Sequence, residues 1–127
     1  MNKVVLDASA LLAFLNQEPG SSVLESLLPQ SVMSTVNWAE VVAKLQERGV
    51  WTEQSQFDLE ELGITIIAFD LKQALITGAL RSLTKSAGLS LGDRACLALG
   101  IQLNLPVLTT DRIWAQLDLP IQVQVLR

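Results

Sequence analysis

The sequence predicts an α/β fold in which a mostly parallel sheet of about five strands is flanked by about seven helices. Two observations support this prediction. Short apolar runs alternate with helical segments along the whole chain, and half of the residues are hydrophobic. Such alternation favours parallel strands joined by helical crossovers, and a sheet covered on both faces needs a high apolar content. At 127 residues the chain is most simply one domain, residues 1–127.

Local signals in the first half of the chain predict two strands and four helices. The opening run Val4-Val5-Leu6 is apolar throughout, as expected of a short buried strand. Further along, Trp38, Val41, Val42 and Leu45 recur at the i, i+3, i+4, i+7 spacing of an amphipathic helix. Glycine and proline mark most of the boundaries between elements. The predicted elements are strands at 3–6 and 32–33 and helices at 9–15, 22–28, 35–48 and 53–62.

The second half of the chain is predicted to hold three strands and three helices. Residues 64–69 are apolar and rich in β-branched side chains, which gives the clearest strand signal. Asp70 and Ser90 precede two helical segments and are favourable N-cap residues. In the last segment glutamines alternate with valines, which predicts an edge strand. The predicted elements are strands at 64–69, 105–109 and 119–126 and helices at 71–83, 91–103 and 112–117.

The composition excludes several classes of protein and site. The chain has no histidine and no tyrosine, so a Ser-His-Asp triad, a Cys–His pair and most zinc sites are excluded. The single Cys96 cannot form an internal disulfide, which favours the cytoplasm. The longest uncharged stretch, residues 95–110, is too short and too polar to span a membrane. Asp7 interrupts the first apolar run, so a signal peptide is not expected.

Four acidic residues stand beside apolar runs and form the most informative feature of the chain. Asp7 and Asp111 each follow a predicted strand, Asp93 lies in the first turn of an apolar helix, and Glu40 follows a short apolar run. Strand-to-helix junctions are where open α/β sheets build their sites. Carboxylates gathered there repel one another unless a divalent cation lies among them. The pattern therefore predicts a Mg²⁺ or Mn²⁺ site and phosphoryl chemistry.

Each acid also has a purely structural explanation. Asp7 and Asp111 could cap helices, and Ser90-Leu-Gly-Asp93 matches a capping box. Glu40 could lie on a solvated helix face and pair with Lys44, four residues on. The hydroxyl-bearing residues beside these acids also have two explanations. Their hydroxyls could orient a water or a carboxylate, or the residues could simply be common turn residues. These hydroxyls belong to Ser9, Thr109 and Thr110.

The net charge of −4 does not exclude a nucleic-acid partner. Apart from the four acids of the predicted site, the other nine acidic residues equal the nine Lys and Arg in number. A divalent cation would offset the charge of the site itself. There is no basic tail, so tight nonspecific binding of nucleic acid is not expected.

Four segments of the sequence carry a resemblance to a known family. The opening MNKVVLDASALLAFL is similar to the start of PIN-domain proteins. The segments LSLGDRACLAL and LPVLTTDRIW resemble the distal half of VapC-type toxins, and NWAE carries the resemblance in the middle. The resemblance spans the whole chain. It implies a three-layer sandwich fold with a central, parallel five-stranded sheet. It also implies that the protein is a metal-dependent endoribonuclease that cleaves structured RNA.

The resemblance also implies roles for individual residues and partners for the chain. The four acids of the family fall on Asp7, Glu40, Asp93 and Asp111, which would be catalytic and would hold Mg²⁺ or Mn²⁺. The family's hydroxyl near the last acid falls on Thr109 or Thr110. A small antitoxin and a second copy of the chain would be the protein partners. The basic side chains expected to contact RNA, unless they only pair with acids or lie idle on the surface, are Lys44, Arg48, Arg94 and Arg112.

Other classes with carboxylate sites fit less well. A phosphatase of the haloacid-dehalogenase type would need an acid two residues after Asp7, where Ser9 stands. A phosphoacceptor receiver domain would need a lysine at the end of a late strand, and residues 106–112 contain none. Two alternatives remain open: a PIN-like binding module without catalysis and a housekeeping PIN nuclease.

Overall fold

The computed structural model of the protein describes residues 1–126. Within them, five strands form one sheet in the order β3-β2-β1-β4-β5, and every neighbouring pair is parallel. The central strand β1 pairs Val4 with Ser31 of β2 and Val5 with Val107 of β4. The strands are β1 (Val4–Leu6), β2 (Ser31–Ser34), β3 (Thr65–Ile67), β4 (Val107–Thr109) and β5 (Val123–Val125).

Seven α-helices in residues 1–126 connect and cover these strands, so the predicted α/β class is confirmed. Short 3₁₀ turns lie at Ser21–Val23, Leu28–Gln30, Lys85–Ala87 and Arg112–Gln116. No helix in residues 1–126 combines the length and the apolar character needed to cross a membrane. The helices are α1 (Ala8–Leu15), α2 (Leu24–Leu27), α3 (Thr35–Glu47), α4 (Ser55–Glu60), α5 (Leu71–Ala79), α6 (Arg81–Thr84) and α7 (Leu91–Leu103).

Several predicted elements are shorter or more broken than expected. The predicted helix 22–28 consists of α2 between two 3₁₀ turns, and residues 112–117 form a 3₁₀ turn rather than an α-helix. The strand signal at 64–69 is strongest in the sequence, yet β3 has only three residues. β3 lies at an edge of the sheet and pairs with β2 alone, through all three of its residues, and it is as long as the central strands β1 and β4.

The core lies on both faces of the sheet. Val4 and Leu6 pack on one face together with Leu11 of α1, whereas Val5 packs on the other face with Leu97 of α7. This alternation along β1 is the normal consequence of strand geometry. Because β1 and β4 are parallel neighbours, the residues that follow them emerge at the same edge of the sheet.

Candidate active site

Asp7 lies at the carboxyl end of β1 and is buried, with 4% of its surface exposed. Its Oδ2 accepts hydrogen bonds from Ser9 Oγ at 2.6 Å and from Thr109 Oγ1 at 3.0 Å. Asp7 occupies the N-cap position of α1, but its side chain makes no capping hydrogen bond. The explanation of Asp7 as a simple helix cap is therefore wrong, because its carboxylate accepts hydrogen bonds from one hydroxyl of α1 and one of β4.

The same two hydroxyls fasten the turn after β4 to Asp7. Ser9 Oγ accepts from the backbone N–H of Thr110, and Thr109 Oγ1 accepts from the backbone N–H of Asp111, each at 3.1 Å. Of the two threonines proposed for this role, Thr109 uses its hydroxyl and Thr110 uses its backbone. Each hydroxyl thus donates to the carboxylate while accepting from the main chain, which leaves little rotational freedom at Asp7.

Glu40 lies on α3 and is half-buried against α7. Asn37, one helical turn earlier, donates its Nδ2 to Glu40 Oε1 at 2.7 Å and to the carbonyl oxygen of Gly92 at 3.0 Å. Lys44 lies 3.7 Å from Glu47, not in an ion pair with Glu40. The explanation of Glu40 as a residue on a solvated face is therefore wrong.

Asp93 opens α7 and closes a capping box with Ser90. The backbone N–H of Ser90 donates to Asp93 Oδ2 at 2.9 Å, and that of Asp93 donates to Ser90 Oγ at 3.1 Å. The capping box predicted from the sequence is confirmed. It uses one carboxylate oxygen, and within residues 1–126 the other oxygen makes no hydrogen bond, so a capping role and a ligand role are compatible.

Asp111 is exposed on the turn after β4. Its Oδ1 accepts from the backbone N–H of Ile113 at 3.1 Å and so caps the 3₁₀ turn Arg112–Gln116. Its backbone is fastened to Asp7 through Thr109, as described above. The backbone of Asp111 therefore leaves the sheet beside the strand end that carries Asp7, whereas its carboxylate is exposed and caps the 3₁₀ turn.

Electrostatics show that three of the four acids share one region. Burial raises the pKa of Asp7 to about 6; the Ser9 and Thr109 hydrogen bonds oppose this, and the charges of Asp93 and Glu40 add to it. Burial also raises the pKa of Glu40, opposed by Asn37 and reinforced by Asp93. Burial raises the pKa of Cys96 well above its usual value, and the same three acids raise it further. Asp111 contributes to none of these shifts.

The donor set suits a hydrated hard cation. Within residues 1–126, no Lys or Arg forms an ion pair with any of the four acids. Two of these carboxylates, Asp7 and Glu40, have raised pKa values. The described part of the chain also contains no ready-made cage of three acidic, His or Cys side chains. Mg²⁺ does not require such a cage, because it keeps several of its waters and binds one or two carboxylates together with substrate phosphates.

The four basic residues predicted to contact RNA fall into two groups. Lys44, Arg48 and Arg112 are exposed. Arg94 is only 8% exposed, and its guanidinium donates to the carbonyl oxygen of Thr77 at 3.0 Å. The placement of Arg94 on an RNA-binding surface is corrected, because α7 packs on α5 and turns this side chain into the interface between them.

Two residues of the site, Asn37 and Gly92, were not singled out from the sequence. Asn37 lies within the NWAE segment, three residues before Glu40, a spacing that places both side chains on one helix face. Gly92 directly precedes Asp93 in a helix, where a glycine without a turn is a signal of close approach. Both signals are weak individually, and the contact between α3 and α7 is needed to interpret them.

The chain resembles known proteins over most of its length. The model of the PIN domain family matches residues 4–119. Ribonuclease VapC42 of Mycobacterium tuberculosis and a VapC ribonuclease of Mycobacterium bovis are each 32% identical to the chain over 115 residues, which cover 83% of this chain and 88% of the relative.

Solved structures show the same fold. A toxin–antitoxin complex from Klebsiella pneumoniae superposes with a TM-score of 0.78 at 21% identity and covers 98% of both chains. A DNA-bound VapBC from Salmonella typhimurium superposes with a TM-score of 0.77 at 16% identity and covers 100% of both chains. The family match over nearly the whole chain and the VapC relatives together show that this protein belongs to the PIN-domain family, within its VapC ribonuclease group.

Proposed function

We propose that this protein is a metal-dependent endoribonuclease that hydrolyses RNA phosphodiester bonds and serves as the toxin of a toxin–antitoxin pair. One observation carries the proposal: Asp7, Glu40 and Asp93 repel one another in a partly buried site without a basic partner among residues 1–126. A divalent cation would relieve this repulsion. The VapC relatives are ribonucleases by name, which supports RNA as the substrate.

In this proposal Asp7, Glu40, Asp93 and Asp111 would hold Mg²⁺ or Mn²⁺, directly or through the waters that the cation keeps. When bound, such a cation activates water and neutralises charge that develops on the phosphate. Ser9 and Thr109 keep Oδ2 of Asp7 in place, and Asn37 does the same for Glu40. The chain has no histidine to act as a general base or acid, and the proposal assigns the proton transfers of the reaction to solvent.

The direct test is cleavage of a structured RNA by the purified protein. We expect cleavage in millimolar Mg²⁺ or Mn²⁺, loss of cleavage in EDTA, and recovery when the metal is returned. The two metals compared at equal concentration would identify the preferred one. A protein that binds RNA with or without metal but never cleaves it would contradict the proposal and point to a binding module.

Lys44, Arg48 and Arg112 form the RNA-binding surface in this proposal. Lys44 and Arg48 follow Glu40 at successive steps of four residues, so they continue along the same helix face away from the site. Arg112 directly follows Asp111. Lys44 is about half exposed and is paired with Glu47 only at 3.7 Å on the surface, an interaction worth roughly 0–1 kcal/mol. A phosphate could displace it.

Reversing both charges, Lys44→Glu with Arg48→Glu, should weaken RNA binding and make it less dependent on salt. The slope of log affinity against log salt is negative, and each lost phosphate contact makes it less steep by about 0.7–0.9, so the loss of two contacts reduces its steepness by about 1.4–1.8. Affinity measured at several salt concentrations gives this slope. The matched control reverses Lys72 and Arg81, which are exposed on α5 and α6. Equal effects of the two reversals would contradict a specific role of α3.

The partners that we propose are a small antitoxin protein and a second copy of this chain. They are supported by the solved structures of the same fold, which include a toxin–antitoxin complex and a DNA-bound VapBC. We propose the cytoplasm as the location, on the basis of the single buried thiol of Cys96. We also propose that residues 1–127 form one PIN domain.

Expression of the wild-type chain alone should slow the growth of a bacterial host, because uncontrolled RNA cleavage stops translation. Asp7→Asn should relieve the effect at equal protein level. Growth curves with quantified expression measure both. An active nuclease that leaves growth unchanged would contradict the toxin assignment and favour a housekeeping enzyme.

A further inference from the structure

Glu40 rests in a notch on α7 that exists because residue 92 is a glycine. A Cβ added to Gly92 would lie 2.6 Å from Glu40 Cδ and 2.7 Å from Oε1, and it would contact Oε2 as well. These approaches are closer than real Cβ contacts. The absence of a side chain at this position therefore lets the carboxylate lie against the first turn of α7, directly before Asp93.

Asn37 holds the carboxylate in that notch. It is completely buried, and its single amide nitrogen donates both to Glu40 Oε1 at 2.7 Å and to the Gly92 carbonyl at 3.0 Å. The Asn37 side chain thus links α3 to α7 at the point where the Glu40 carboxylate contacts α7. The two bonds restrict both the position and the orientation of the carboxylate.

The amide oxygen of Asn37 indicates that a contribution to stability does not by itself explain why this residue is an asparagine. Its Oδ1 is buried and has no hydrogen-bond partner among the described residues. An unpaired buried carbonyl costs free energy, and a leucine of similar size would avoid the cost. A buried polar atom left unpaired calls for a specific explanation, and the two bonds of the amide nitrogen supply one.

We infer that Asn37 and Gly92 are positioning residues that place the Glu40 carboxylate beside Asp93 in the orientation needed to bind the divalent cation. The inference rests on the proposed function and adds two residues to it. The Glu40 carboxylate lies at the end of a long flexible side chain. Without the hydrogen bond from Asn37 and the space beside Gly92, it would turn toward solvent. Residues that orient metal ligands typically change metal affinity by about 10–100-fold when they are mutated.

The experiment compares Gly92→Ala and Asn37→Leu with the wild type. We expect both variants to fold, since the carboxylate that the methyl group added at position 92 would meet can swing away. In each, Mn²⁺ binding, measured by the EPR signal of free Mn²⁺, should weaken about 10-fold or more. In the metal-free protein the ¹³C signal of the Glu40 carboxyl should move toward that of a solvated carboxylate.

Two controls separate positioning from a general effect. Gly78→Ala makes the same change inside α5, where nothing lies within 4 Å of the added methyl group, and should leave Mn²⁺ affinity unchanged. In a Glu40→Ala background, Gly92→Ala and Asn37→Leu should have no further effect on Mn²⁺ affinity, because the group that they position is gone.

Three results would overturn the inference while leaving the proposed function intact. They are an unchanged Glu40 signal in both variants, a changed signal with unchanged Mn²⁺ affinity, and a loss of affinity that persists in the Glu40→Ala background. Failure of the proposed function looks different, since the wild type itself would then neither bind Mn²⁺ nor cleave RNA, and the inference would fall with it.

Discussion

Replacing Asp7 by Asn should abolish RNA cleavage and at the same time make the metal-free protein more stable at neutral pH. The carboxylate of Asp7 is 4% exposed, and its pKa lies at about 6 rather than 3.8, chiefly because burial disfavours the charge. At 1.36 kcal/mol per pH unit, this difference corresponds to about 3 kcal/mol of destabilisation by the ionised form. Asn removes the charge and can still accept from Ser9 or Thr109.

The pH dependence follows with a definite sign. Asp7 binds its proton more tightly in the folded than in the unfolded protein, so protonation of Asp7 stabilises the fold. This contribution to the free energy of unfolding is complete below about pH 4. It is lost as the pH rises through about 6. Thermal melts in EDTA should therefore show the wild type losing stability between pH 4 and pH 6, while Asp7→Asn loses less.

At pH 7 and in EDTA the melting temperature of Asp7→Asn should be higher by several degrees, with an upper figure of roughly 10 °C for a domain of this size. The exposed Asp118 provides the matched control, because Asp118→Asn removes a carboxylate that is not buried. An Asp7→Asn variant that melts no higher than the wild type at pH 7 would show that Asp7 is not an electrostatically strained residue. Retained cleavage would remove it from the catalytic set.

The second large effect concerns Asp93 and Ser90, which share the capping box of α7 but should differ in their roles. Asp93→Asn should lower cleavage by about 100-fold or more while stability stays within about 1 kcal/mol of the wild type. The amide oxygen can still accept from the backbone N–H of Ser90, so α7 keeps its cap. The variant loses only the negative charge beside Asp7 and Glu40.

Ser90→Ala is the complementary variant. It removes the hydroxyl that accepts from the backbone N–H of Asp93, which should cost about 1 kcal/mol of stability and leave most of the cleavage activity. Thermal melts and cleavage rates of both variants measure the two effects separately. If Asp93→Asn cleaves as fast as the wild type, Asp93 is a capping residue only and must be removed from the proposed ligands.

Much of the fold could be derived from the chain without coordinates. The α/β class and the alternation of strands and helices follow from the spacing of apolar residues. The start of α7 at Leu91 and the cap of α5 by Asp70 follow from local chemistry, and both are confirmed. These features depend on residues close in sequence, and hydrophobic periodicity and capping report such local preferences well.

The sequence determined which acids could form the site, because Asp7, Glu40, Asp93 and Asp111 stand beside apolar runs. Only the tertiary structure decided how they are held. The hydroxyl of Thr109 reaches Asp7 across two parallel strands, and Asn37 reaches Gly92 across two helices, in each case between residues far apart in the chain. Periodicity gave no sign of this for Glu40, whose burial results from α3 packing on α7.

Arg94 shows the same division between local and long-range information. Its neighbour Asp93 lies at the site, and from the sequence alone the adjacent cation is a reasonable contact for RNA. Successive residues on a helix point about 100° apart, so the packing of α7 on α5 sends Arg94 to the carbonyl of Thr77 instead. Residue type and spacing therefore specified the candidate chemistry, whereas the direction of each side chain depended on which helix faces meet, a property of the folded chain.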